Sequence, residues 1–81
     1  MMKTLHIQYY ALLREQAGRS RDSIQTTATT PAAVYEELRE RYGFTLLRDQ
    51  LRVAIDGEFS DWQAPLSDGA ELVFIPPVAG G

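Results

Sequence analysis

Glu71-Leu72-Val73-Phe74-Ile75-Pro76-Pro77 is the stretch around which the rest of the chain arranges itself. One acid, four apolar residues and two prolines read as a strand with a hard stop, because neither proline can donate to a ladder. Near-continuous apolar character suits a strand in the middle of a sheet, covered on more than one side. Alternation sets Leu72 and Phe74 against Val73 and Ile75, and the pattern leaves open which pair faces the core.

Just upstream, Pro65-Leu66-Ser67-Asp68-Gly69 is turn chemistry. Before it, Arg52-Val53-Ala54-Ile55 reads as a strand, its start at Arg52 or one residue earlier at Leu51, and Asp56-Gly57 is a tight-turn dipeptide returning through Glu58-Phe59. The clearest helix runs from Thr30 to Gly43. Thr30 suits the N-cap, Pro31 the first helical position and Gly43 the left-handed position after the end. Val34, Leu38 and Tyr42 fall on one helical stripe, while Glu36, Glu37, Arg39, Glu40 and Arg41 form a solvated face. At the start of the chain, Leu5, Ile7 and Tyr9 alternate with His6, Gln8 and Tyr10, the period-two pattern of a half-buried strand. Ala11 to Ala17, closed by Gly18, predicts one or two helical turns. Ser23 to Thr27 predicts a short strand, antiparallel to the first because so short a connection does not support a parallel crossover. Together these elements predict an α+β two-layer domain: a mixed sheet with one main helix packed on one face. The other face stays open.

The 81 residues make one small domain, and no internal repeat or linker divides them. Eight basic against eleven acidic residues give a net charge of −3, which disfavours nucleic-acid binding. No apolar run is long enough to span a bilayer and the first residues lack a signal-peptide pattern, so the expectation is a cytoplasmic protein with no membrane partner. The absence of cysteine removes disulfides, thiolate metal sites and a cysteine nucleophile. His6 reads as a surface side chain, Arg14-Glu15 as an exposed ion pair, and Asp49, Asp56, Asp61 and Asp68 are scattered through turns, so no metal site is expected.

Chemistry concentrates in Pro76-Pro77-Val78-Ala79-Gly80-Gly81. Two prolines give a stiff, extended start, and small residues then lead to two glycines without side chains. Six residues reach roughly 20 Å at full extension. This thin rod ends in a carboxylate and fits a channel too narrow for ordinary side chains. A carboxylate is a poor acyl donor until ATP converts it to an acyl-adenylate, from which sulfur or an amine displaces AMP. A frayed glycine end is the simpler alternative.

Two stretches carry a resemblance. Tyr10-Ala11-Leu12-Leu13-Arg14-Glu15-Gln16-Ala17-Gly18 resembles an aromatic-Ala-x-Leu-Arg-Glu-x-x-Gly segment, and Pro65 through Gly81 resembles a Leu-x-Asp-Gly-Asp/Glu-Val-x-Phe-x-Pro-Pro-Val-x-Gly-Gly ending. Both are features of the small subunits of molybdopterin synthase, ubiquitin-like sulfur carriers. The chain departs mildly, with Tyr10 where phenylalanine is common and Asp56 where asparagine is frequent. The resemblance implies a β-grasp domain over residues 1–75 and a sulfur-carrying tail over 76–81.

It further implies that Gly81 carries the reacting atom, with Gly80, Ala79 and Val78 as the inserting tail. A ubiquitin-activating-type adenylyltransferase would activate Gly81 with ATP and magnesium, and a sulfurtransferase would supply sulfur to give a thiocarboxylate. The large synthase subunit, in a two-plus-two heterotetramer, would hold the acids and bases for sulfur transfer to a cyclic pterin precursor. The chain alone would be non-catalytic and bind no cofactor or metal. Phe59, Ile75, Pro76, Pro77 and Tyr10 are the candidate docking residues, with Ile75 and Phe59 also readable as core and Trp62 unassigned. Carriers for thiamine, tungsten-type cofactors or tRNA thiolation, a modifier joined to target lysines, and an interaction domain with an inert tail are the alternatives.

Overall fold

The helix of residues 30–43 shows how closely local chemistry sets the elements. In the computed structural model, which describes residues 2–77, Thr30 accepts a hydrogen bond from the Ala33 N–H at 3.2 Å. Pro31 follows it inside the helix, and Gly43 closes it at φ 73°. The elements are β1 (Lys3–Tyr9), α1 (Ala11–Ala17), β2 (Arg21–Thr26), α2 (Pro31–Tyr42), a 3-10 turn at Arg48–Gln50, β3 (Arg52–Ile55), β4 (Glu58–Ser60) and β5 (Glu71–Ile75). The 3-10 turn has no counterpart in the sequence pattern. Its Gln50 side chain folds back to accept from the Leu47 N–H at 2.8 Å, a contact between polar groups that periodicity does not report.

The strand order is β2-β1-β5-β3-β4, so β5 is central. It pairs parallel to β1, with Phe74 opposite Tyr9, and antiparallel to β3, with Phe74 also opposite Val53. β1 and β2 are antiparallel, as the short connection requires. Leu72 and Phe74 are fully buried beneath α2, which settles the alternation on β5. Leu5, Ile7 and Tyr9 join them on the helix side together with Val34, Tyr35, Leu38 and Val53.

Aromatic rings fill much of this layer. Tyr35 lies edge-on to Phe74 at 5.2 Å. Trp62 stacks on Phe74 at 5.9 Å and an interplanar angle of 7°, and so covers the edge of the core. Tyr35 widens the buried helical stripe beyond Val34, Leu38 and Tyr42, and anchors itself by donating its hydroxyl to the Leu46 carbonyl at 2.7 Å.

Tyr10 departs from expectation. β1 ends at Tyr9, and Tyr10 is the N-cap of α1. The chain leaves the ladder because Ala11 turns it with φ 50°, a left-handed value that costs a residue with a Cβ about 1–2 kcal/mol. Arg14 and Glu15 do not pair. Among the described residues the ion pairs are Arg19–Asp22 and Glu36–Arg39, and neighbours one residue apart on a helix project away from each other.

One polar cluster ties the layers together. The Asp22 carboxylate, 7% exposed, accepts from the Tyr9 hydroxyl at 3.1 Å and from the Tyr42 hydroxyl at 2.6 Å. Burial first, and then the Asp22 charge, push the Tyr9 phenol well above its ordinary value. Burial and the same carboxylate also raise Tyr42, and burial pushes Tyr35 up to about 12. A phenol is neutral when protonated, so the unfolded chain releases these protons first as pH rises. The stability they provide is complete below about pH 10 and is lost above it. Urea unfolding followed by circular dichroism is expected to give a constant midpoint from about pH 7 to 9 and a falling one beyond about pH 10. A flat midpoint across that range would mean that these phenols ionise as readily folded as unfolded.

Candidate functional site

The site is built on the face of the sheet that α2 leaves uncovered, at the end where β5 stops. Cross-strand partners lie on the same face, so the ladder registers define its composition. Ala54 lies opposite Val73, and Arg52 opposite Ile75. Phe59 lies opposite Ala54 on the other side. These five residues form one contiguous area across β4, β3 and β5. Phe59 is 61% exposed, which removes it from the core; Ile75 and Val73 are half-buried. The Arg52 guanidinium sits over the Phe59 ring at 4.1 Å from its centroid. That stack holds the ring in place and sets a cation at the patch rim.

The other half of the open face is polar. Thr4, His6 and Gln8 on β1 pair with Gln25, Ser23 and Arg21 on β2. His6 is exposed, with Nδ1 3.1 Å from the Ser23 hydroxyl. A shallow depression there is lined by His6, Gln8, Arg21, Ser23 and Glu71. Among the described residues no group of three or more His, Asp or Glu side chains could hold a metal ion. No described helix is long and apolar enough to cross a membrane.

The chain leaves the sheet at Ile75, continuing through half-buried Pro76 and exposed Pro77. Parallel pairing of β5 with β1 places this exit beside the start of α1, where Tyr10 and Leu12 are exposed. Antiparallel pairing with β3 places it beside the 3-10 turn, whose Arg48 guanidinium lies 6.0 Å from the centre of the Trp62 ring. Of the residues singled out from sequence, Phe59, Ile75, Pro76 and Pro77 are thus brought together. Tyr10 lies at the same end, off the sheet, on the first turn of α1. Val78, Ala79, Gly80 and Gly81 lie outside the described residues.

Sequence reasoning missed Arg52, Ala54 and Val73 as members of the patch. Their signal was present in the alternation of β3 and β5, but only the register of three strands assigns it to a face.

The turns that hold this frame are also specific. Asp56, at φ 50°, accepts from the Glu71 N–H at 3.0 Å and so fastens the β3–β4 hairpin to the start of β5. Asp68 accepts from the Thr4 N–H at 2.7 Å and fixes the loop before β5 to the start of β1.

A central strand, one covering helix and a chain end issuing beside an exposed apolar patch define the ubiquitin-like β-grasp class. Its solved members include SAMP1 from Haloferax volcanii, which superposes with a TM-score of 0.80 at 24% identity, covering 96% of this chain and 99% of that one. The chain belongs to the ThiS family, whose model matches residues 7–81. It is 30% identical over 81 residues to the molybdopterin synthase sulfur carrier subunit of Drosophila melanogaster, covering 95% of this chain and 90% of the relative. The fold also matches a chain from the complex of subunits 1 and 2 of the molybdopterin-converting factor of Helicobacter pylori 26695, with a TM-score of 0.64, 22% identity and both chains covered in full.

The contrast between the two faces is measurable. Phe74→Ala is expected to cost about 3–5 kcal/mol, the usual loss for a buried ring. Phe59→Ala is expected to cost less than about 1 kcal/mol, since it removes an exposed ring and one cation–π contact. Urea denaturation of both variants tests this, and equal losses would place Phe59 in the core.

Proposed function

We propose that this chain is the sulfur carrier subunit of a molybdopterin synthase. Gly81 is its working terminus. Its carboxylate is adenylated by a ubiquitin-activating-type enzyme that uses ATP and magnesium. The outer sulfur of a sulfurtransferase persulfide attacks the Gly81 carbonyl and expels AMP, giving an acyl disulfide; a thiol then attacks the sulfurtransferase sulfur of that disulfide, forming a disulfide with it and releasing the Gly81 thiocarboxylate. The tail, Val78 to Gly81, then enters the active site of the synthase large subunit, where the sulfur attacks a cyclic pterin precursor. Two such transfers build the dithiolene. Acids and bases for that step belong to the large subunit, and this chain itself holds no cofactor.

The observation that carries the reading is the exit of the central strand at Ile75-Pro76-Pro77 beside the Phe59–Ile75 patch, in a chain whose family match runs through Gly81. The patch supplies apolar anchors with a polar rim, the pattern of a docking surface. A rigid platform beside the exit fixes where the tail starts, so that docking and insertion become one event. The large subunit as partner is supported by the relative's name and by the Helicobacter complex of two subunits; the two-plus-two assembly is part of the proposal.

Intact mass spectrometry after incubation with an activating enzyme, ATP, magnesium and a sulfur donor is expected to show the exchange of one oxygen for one sulfur. Deletion of Gly81 is expected to abolish it. No exchange, with the enzyme active on another carrier, would overturn the reading; isopeptide conjugates on many proteins would favour a protein modifier. Phe59→Ala is expected to weaken binding to the large subunit by about tenfold or more, measured by calorimetry, as for a central apolar anchor. Unchanged affinity would remove Phe59 from the interface.

A further inference from the structure

The 81 residues hold one lysine, Lys3, against seven arginines. That imbalance bears on the chemistry of an activated C-terminus. An acyl-adenylate or thioester is attacked by any free amine: the nitrogen adds to the Gly81 carbonyl carbon, the leaving group departs with its electron pair, the amine proton passes to water, and an amide remains. A lysine, with an ordinary pKa of about 10.4, always presents a small fraction of free amine. An arginine guanidinium stays protonated and is no nucleophile.

The cations around the exit of β5 are arginines. Arg52 lies opposite Ile75 with its guanidinium over Phe59, and Arg48 lies against Trp62. Lys3 sits at the first residue of β1, while β5 runs parallel to β1 and Phe74 is level with Tyr9. Six strand steps from Lys3 to Tyr9 amount to about 20 Å, and the tail begins beyond that level. Its six residues reach roughly 20 Å only at full extension and would have to double back from Pro76-Pro77. The Lys3 ammonium also donates to the Ala28 carbonyl at 3.1 Å.

We propose that the placement of lysine side chains on this chain protects an activated Gly81 from lysine attack by its own surface: the side-chain positive charge near the exit of β5 is guanidinium, and the one lysine is tethered at the far end of the sheet. The consequence is chemoselectivity. An activated terminus waits for the incoming sulfur nucleophile and neither cyclises nor links copies into chains through lysine. This rests on the proposed use of Gly81 as an acyl carrier, and it marks the chain as unsuited to be the acceptor in lysine-linked polymers of itself.

The test uses the full chain with a Gly81 thioester generated by thiol cleavage of a fusion, so no activating enzyme is needed and failure of adenylation cannot mimic failure here. Wild type, Arg48→Lys, Arg52→Lys and Lys3→Arg are incubated at equal concentration, and amide products are followed by intact mass and mapped by peptide sequencing. Linkage through a short stretch of the same chain supplies an effective concentration of about millimolar order, against about tens of micromolar for another copy. Arg48→Lys and Arg52→Lys are therefore expected to form a lysine–Gly81 amide about tenfold or more faster than wild type, with wild type and Lys3→Arg both ending as the hydrolysed acid. Two results would overturn the proposal: wild type forming a Lys3–Gly81 amide as fast as the new-lysine variants, or both variants, folded by circular dichroism, forming it no faster than wild type.

Discussion

Strand β5 has to satisfy three environments at once, and the rest of the molecule is arranged around that demand. One face of it, Leu72 and Phe74, is fully buried against the helix. The other, Val73 and Ile75, forms part of an open apolar area. Both edges are hydrogen-bonded, to β1 on one side and β3 on the other. A strand with neighbours on both edges cannot slip by one residue without moving its entire apolar set to the wrong face. The point at which the chain leaves the sheet is therefore as well defined as any part of the core. The buried ring of Phe74, packed against Tyr35 and Trp62, stands one residue before Ile75 and two before the first proline. Core packing and the point of exit from the sheet are consequences of the same five residues.

The turns serve that strand more than they serve themselves. Asp56 and Asp68 each spend a carboxylate oxygen on a backbone N–H of a sheet strand, one at the start of β5 and one at the start of β1. In a domain this small the buried area is limited, so hydrogen bonds that fix loop ends to strands carry much of the definition of the frame. The Asp22 cluster does the same at the other edge, where one buried carboxylate accepts from tyrosines on β1 and α2. The Asp22 carboxylate thus has partners on two different elements, which links the layers.

The fold was legible where a residue type has one physical use. Thr30, Pro31 and Gly43 mark helix ends because few other residues satisfy those positions, and β3 and β5 have the spans that their sequence patterns predict. It was illegible where the outcome depends on a partner distant in sequence. Alternation could not tell which side of β5 faces the helix. Nor could it show that Trp62 belongs to the core edge, since that follows from stacking on a ring twelve positions away. Tyr10 was misplaced because its own backbone is extended like a strand, and the break comes from Ala11, whose positive φ no alanine advertises. For the site, Phe59, Ile75 and the prolines were readable as candidates from their place beside a turn and a strand end. Arg52, Ala54 and Val73 required the register of β4, β3 and β5 together.

These separations have a functional logic. On the proposed reading the reacting atom sits at the end of a tail and needs no cavity, and among the described residues two open surface depressions lie on β1, β2 and β5 and beside the end of α2. What such a protein must provide is a fixed origin for the tail and a surface that recognises the partner around it. On the proposed reading both come from β5: its end supplies the origin and its open face supplies part of the surface. The positive charge near that origin is carried by guanidinium groups lying over aromatic rings, which keeps it in place without adding a nucleophile. If the chemistry lies outside the fold, as proposed, the core is left free to be fully packed, and a fully packed core is what lets so small a domain hold the exit of its own chain at one position.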